Sequence, residues 1–167
     1  MIALRTARFL SCFSLFVAIA MATPPAWAAE STAKLPRFVS LRSGEVNVRT
    51  GPNVRYPVDW VFVRKNMPVE IVAEFDTWRR VRDFQGTEGW VHQSMLSGRR
   101  TLLIVGETRT LRRSDNLEAA AVARLEPGVI GQLQQCRGDW CRVEAGGLRG
   151  WLRRTEFWGA YPDEAVK

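Results

Sequence analysis

Trp78-Arg79-Arg80-Val81, followed by Gly89-Trp90-Val91-His92, returns 62 residues later as Trp140-Cys141-Arg142-Val143, followed by Gly150-Trp151-Leu152-Arg153. The correspondence extends outward on both sides. Upstream, Val46-Asn47-Val48-Arg49 lines up with Arg109-Thr110-Leu111-Arg112; downstream, Leu96-Ser97-Gly98 lines up with Phe157-Trp158-Gly159. An ordered set of motifs repeated at offsets of 61 to 63 residues marks an internal repeat, each copy being one structural unit. The copies cover residues 38–99 and 101–159.

Inside each copy the apolar period is two, not 3.6. Val46 and Val48 alternate with Asn47 and Arg49, Val69 and Ile71 flank Glu70, and Val81 sits between Arg80 and Arg82. Half-buried antiparallel strands read this way. Turn chemistry separates them: Thr50-Gly51-Pro52-Asn53, Lys65-Asn66-Met67-Pro68, Phe75-Asp76-Thr77 and Gln85-Gly86-Thr87-Glu88-Gly89. Leu117 to Leu125 is rich in Ala and follows Ser114-Asp115-Asn116, but it aligns with a β segment of the first copy, so at most a helical turn is expected there. Five or six short strands per copy make a small barrel or a pair of packed sheets, and the chain reads as all-β.

The chain has 167 residues, with 24 Lys+Arg, 17 Asp+Glu, one His and three Cys. A hydrophobic share of 46% with 25% charged residues is that of a globular protein, which excludes a disordered or fibrous chain. One His and three Cys leave little material for a histidine-dependent catalytic site or a closed zinc site, so neither a metal nor a cofactor is expected. Arg5 and Arg8 precede an apolar stretch from Phe9 to Ala22 and the small-residue segment Ala26-Trp27-Ala28-Ala29. This is the layout of a secretory signal peptide over residues 1–28, cleaved after Ala28 or Ala29, and too short for a spanning helix. Cys12 lacks the apolar approach that a lipoprotein cysteine would have. Export places the protein in the periplasm or outside the cell and reduces its formal charge from +7 to +5, since only Arg5 and Arg8 leave. The expected counterpart of that charge is an anionic envelope surface, with no nucleic acid.

Val46-Asn47-Val48-Arg49-Thr50-Gly51-Pro52-Asn53, then Tyr56-Pro57-Val58, Trp78-Arg79-Arg80-Val81 and Gly89-Trp90-Val91 resemble the bacterial SH3 (SH3b) domain family. The stretch from Leu35 to Arg100 is similar to an exported proteobacterial subgroup of SH3-like domains. The second copy departs from the pattern: Arg112-Arg113-Ser114-Asp115 replaces the Arg-Thr-Gly-Pro turn, and nothing matches Tyr56-Pro57. The resemblance implies two tandem small SH3-like barrels after the signal peptide, joined to it by a linker over residues 29–37 and followed by a C-terminal tail over 160–167. It also implies a non-catalytic binding role toward peptidoglycan or wall peptides. The alternative is a periplasmic scaffold that docks an envelope protein, either an enzyme or a secretion component.

Cys136 and Cys141 are the cysteines of the mature chain, and in an oxidising compartment they are expected to form a disulfide across a short turn. The aligned residues of the first copy, Glu74 and Arg79, are expected to occupy the same slot as an exposed ion pair. Trp90 and Trp151, repeated in both copies, are expected in the cores. Trp78 and Trp140 either stand partly exposed or cover barrel ends. Tyr56, Trp60 and Phe62 follow the Gly51-Pro52 turn and make the expected ligand face, with Trp78; the alternative is that the three fill the barrel. Strict alternation puts Trp60 and Phe62 opposite Val61 and Val63, and the β-branched pair is assigned to the core. Arg49 and Arg55 flank this face and suit a ligand carboxylate, although Arg49 is equally suited to anchoring the turn. His92 reads as a surface strand residue.

Overall fold

A computed structural model describes residues 34–167; the expected signal peptide and Cys12 lie outside the described residues. The first copy folds as β1 (Arg37–Leu41), β2 (Val46–Arg49), β3 (Val58–Phe62), β4 (Pro68–Phe75), β5 (Trp78–Arg82), β6 (Glu88–His92) and β7 (Leu96–Ser97). The second folds as β8 (Thr101–Ile104), β9 (Arg109–Arg112), β10 (Ala121–Leu125), β11 (Ile130–Arg137), β12 (Trp140–Ala145), β13 (Leu148–Arg153) and β14 (Phe157–Trp158). Each copy is one antiparallel sheet curled on itself. The strand orders β3-β2-β6-β5-β4-β1-β7 and β10-β9-β13-β12-β11-β8-β14 are the same order seven strands apart. Seven strands therefore replace the five or six expected, because two-residue strands β7 and β14 close each sheet against β1 and β8. Each is preceded by a single 3-10 turn, Gln93–Met95 or Arg154–Glu156. The Ala-rich segment is a turn running into β10, with no helix.

Each barrel has its own core. Leu41, Val46, Val48, Val69, Ile71, Val81 and Val91 fill the first; Leu102, Ile104, Leu111, Val143 and Leu152 fill the second. Two phase assignments are overturned. Phe62 is 7% exposed and belongs to the first core with Trp60 packed against it, while Val61 and Val63 face solvent. The edge strand β3 closes the end of the barrel, where one large ring fills more space than a valine. Trp90 and Trp151 lie half-buried on the outer faces, and their neighbours Val91 and Leu152 point inward. The inward residue of each Gly-Trp pair is the glycine.

The hairpins β4–β5 and β11–β12 are superimposable in detail. Both have two-residue turns, and Asp76 (φ 48°) and Gly138 (φ 49°) take the same left-handed conformation. In register just before them, Cys136 faces Cys141 with Cα atoms 4.0 Å apart and forms the disulfide. Glu74 faces Arg79 at the equivalent position, with the Arg79 Nε 3.3 Å from the carboxylate. That pair is not exposed: Arg37 joins it at 2.5 Å, and the two side chains are 16% and 11% accessible. One slot is thus closed covalently in one copy and by charge in the other. Replacing both Cys136 and Cys141 by Ser is expected to destabilise the protein by about 2 kcal/mol, read as a lower urea midpoint.

The barrels meet through the outer face of β1 and β4. Phe38 is buried between Trp158 (centroids 5.0 Å apart, edge-on) and Tyr161 (4.7 Å). Glu70, opposite Phe38 on β4, is 2% exposed; it accepts from Arg82 Nε at 2.8 Å and from the Tyr161 hydroxyl. Ile130 of the second barrel packs on the first core, and Arg64 donates to the Gly128 carbonyl at 2.5 Å. Residues 160–167 are tied into this contact. Glu164 pairs with Arg100, and Val166, 4% exposed, enters the second core while its carbonyl accepts from Cys136 N at 3.0 Å.

Candidate functional site

The turn after β2 is built by its own backbone. Thr50 N donates to Pro57 O at 3.2 Å and Tyr56 N to Asn53 O at 3.1 Å, while the Asn53 carboxamide oxygen accepts from Arg55 N at 3.0 Å. Asparagine suits this position because its short side chain can mimic a backbone turn. The Tyr56 ring lies flat on Gly51: a Cβ there would stand 2.5 Å from Tyr56 Cδ1. Arg49 reaches across the loop and donates from Nη1 to the Tyr56 carbonyl at 2.7 Å. In the second copy Arg112 donates to the Ala119 carbonyl at 3.3 Å, although the loop sequence is unrelated. The arginine that ends β2 or β9 is therefore a loop anchor in both copies, the second of the two roles expected of Arg49.

A groove of about 450 Å³ lies beside this loop, lined by Glu45, Asn47, Arg49, Val54, Trp78 and His92, with Ser43 and Met95 at its margins. Trp78 is 8% exposed and meets His92 edge-on at 5.4 Å, so it forms the groove's wall and not a free-standing ring. The His92 Nδ1 is 2.7 Å from Ser94 Oγ at the start of the 3-10 turn. A second depression of about 430 Å³ borders the same loop, lined by Pro52, Asn53, Arg55, Tyr56 and Phe75. The two are linked through the hairpin, since Phe75 and Trp78 are cross-strand partners, as are Trp78 and His92.

The six residues expected at the ligand face are thus divided. Arg49 and Trp78 line the groove, and Arg55 and Tyr56 line the second depression. Trp60 and Phe62 face a third cleft of about 310 Å³ under Phe84, and Phe62 is chiefly a core residue. His92 and Phe75 belong with the candidate site; the register across the Asp76-Thr77 turn sets Phe75 beside Trp78, and that of the β5–β6 hairpin sets His92 there. Among the described residues no group of three His, Cys, Asp or Glu could hold a metal ion.

The residues that line this site belong to the first barrel. Nine of the eleven exposed large apolar side chains lie in residues 34–99. The positions of Tyr56, Phe75, His92 and Met95 are taken in the second copy by Ala119, Arg137, Arg153 and Glu156.

Two solved structures match the chain with low scores. NlpC1 from Trichomonas vaginalis has a TM-score of 0.35 at 11% identity, covering 83% of this chain and 51% of that one. NlpC2 from the same organism has a TM-score of 0.36 at 10% identity, covering 80% and 51%. The chain spans about half the length of each. No curated protein matches it. A family model of the bacterial SH3 domain matches twice, over residues 42–98 and 106–159, and each match falls within one of the two sheets. With two tandem matches covering most of its length, the chain belongs to the bacterial SH3 domain family.

Proposed function

We propose that the protein is an exported, non-catalytic binding module of the cell envelope, and that its first barrel holds a peptidoglycan stem peptide or a related wall peptide beside the 50–57 loop. The observation that carries this reading is the asymmetry between two copies of one scaffold. The side chains of Tyr56, Phe75, His92 and Met95 beside the groove of the first barrel are replaced in the second, although the loop anchor and hairpin register are kept. A packing role alone would be shared by both. An extended peptide bearing amines and carboxylates suits a groove whose wall is aromatic and whose lining offers Glu45 and Arg49. Family membership agrees, since bacterial SH3 domains are typically binding modules that engage wall components.

The test uses residues 29–167, which contain β1 to β14 and both cores, in co-sedimentation with purified sacculi at low and high salt. Retention is expected at both. The double variant Tyr56→Ala with Phe75→Ala, exposed positions whose loss leaves the core intact, is expected to weaken it by about tenfold or more, as for aromatic anchors generally. Absence of retention at either salt would remove the wall-ligand reading. Capture of a periplasmic protein through the same aromatic pair would instead establish the scaffold.

A further inference from the structure

We propose that the outward face of the second sheet docks the protein flat on an anionic phospholipid surface. Strand register places two rows side by side on that face. One is Arg142–Trp151–Arg112, running across β12, β13 and β9; the other is Arg137–Trp140–Arg153, across β11, β12 and β13. Their orientation follows from their neighbours, because Cys136, Cys141, Val143, Leu152 and Leu111 all point into the core. Strands lie ~4.8 Å apart, so the arginines of each row flank a tryptophan at about 10 Å, and the rows are about 7 Å apart along the strand.

None of these four arginines has a carboxylate within ion-pairing distance among the described residues. The nearby acids are otherwise engaged or peripheral: Glu144 is held by Arg149 at 2.7 Å, Glu156 accepts from the Arg153 backbone at 2.8 Å, and Asp139 lies in the exposed hairpin turn. Arg112 spends one donor on the Ala119 carbonyl. The first barrel treats the same positions differently. Phe75 and His92 stand for Arg137 and Arg153, and Arg80, the counterpart of Arg142, is neutralised by Glu88 at 2.9 Å.

The arrangement selects the partner. Four uncompensated guanidiniums at the corners of a patch two residues wide match a plane of phosphates better than a single-file polymer, which a groove would track. The two half-buried indoles between them are the amphipathic side chains that settle at a headgroup boundary. This face lies on the opposite copy from the wall-ligand groove, and the inference does not depend on that reading.

The experiment is co-sedimentation of residues 29–167 with vesicles of phosphatidylglycerol and phosphatidylcholine, against vesicles of phosphatidylcholine alone. Binding is expected to the anionic vesicles only, to fall steeply with salt, and to be accompanied by a blue shift of tryptophan emission. Each single Arg→Gln change at 112, 137, 142 and 153 is expected to weaken partitioning about fivefold, and all four together by more than a hundredfold. A control with Lys34, Lys65, Arg99 and Lys167 changed to Gln removes the same charge elsewhere and is expected to keep most of the binding. The proposal is overturned if neutral vesicles bind equally well, if the single variants bind as the parent does, or if the control loses as much as the quadruple variant. Retention on immobilised polyphosphate without vesicle binding overturns it too, in favour of a soluble polyanion.

Discussion

Deleting residues 160–167 is expected to destabilise the second barrel by about 3–5 kcal/mol and to split one cooperative unfolding transition into two. These residues close the family fold from outside its usual boundary, since the family match ends at residue 159. Val166 fills part of the second core, and full burial of such a side chain contributes ~1.5–3 kcal/mol. Its carbonyl also satisfies Cys136 N beside the disulfide. Without Tyr161, the buried Glu70 keeps only Arg82, and Phe38 loses one of its two aromatic covers. Urea unfolding followed by tryptophan emission and by circular dichroism checks the outcome: coincident curves in the full mature chain, separated curves in the truncated one.

The same contact has a pH window set by two groups. Burial pushes the Glu164 carboxyl up, but the Arg100 hydrogen bond and charge outweigh this and hold it below its ordinary value of 4.5. A lowered carboxyl stabilises the docked tail above that value, and the contribution is lost as the pH falls through the folded-state value. Burial pushes the Tyr161 phenol well above its ordinary 10.0, assisted by its bond to Glu70. That contribution is complete below pH 10 and is lost as the solution becomes more alkaline still. Between these limits the barrels are expected to unfold together. Arg100→Gln is expected to narrow the window on its acid side only.

The repeat, the strand period and the cross-strand slot of Cys136 and Cys141 were all legible in the residues, because each depends on neighbours within one hairpin. The contact between the barrels was not: Tyr161 and Glu70 are 91 positions apart, and no local pattern marks Glu70 as buried. Strand β3 shows a second limit. Val61 is β-branched because such residues suit a strand, Val63 already lies past its end, and burial was decided instead by the space that Phe62 fills at the barrel's end. The candidate site was half legible for a related reason. Trp78 and the 50–57 loop stand out as motifs, whereas His92 and Phe75 join them only through register.

Gly150→Ala is expected to cost the second barrel about 3 kcal/mol or more, at the upper end of overpacking effects, while Trp151→Ala costs roughly 1 kcal/mol. The repeated Gly-Trp pair invites the opposite expectation, since tryptophan is the larger and rarer residue. The geometry reverses it. A Cβ on Gly150 would lie 2.5 Å from the Arg112 carbonyl oxygen and 2.7 Å from Leu111 Cγ. The first obstacle is backbone, so it cannot be relieved by a rotamer change: β13 would have to part from β9, one of the pairings that join strands distant in the chain. Gly89 is as crowded in the first copy, where a Cβ would lie 2.3 Å from Val48 Cγ1, 3.2 Å from Trp60 Cη2 and 3.3 Å from the Arg49 carbonyl oxygen. There the foremost contact is a fully buried β-branched side chain with no room to turn, so Gly89→Ala is expected to cost about as much as Gly150→Ala. Trp151 lies half-buried on the outer face and can be truncated without opening the core. Parallel denaturant titrations of the three variants check the order. A larger loss for Trp151→Ala than for Gly150→Ala would mean that the indole, and not the close approach of two strands, is what the repeated motif preserves.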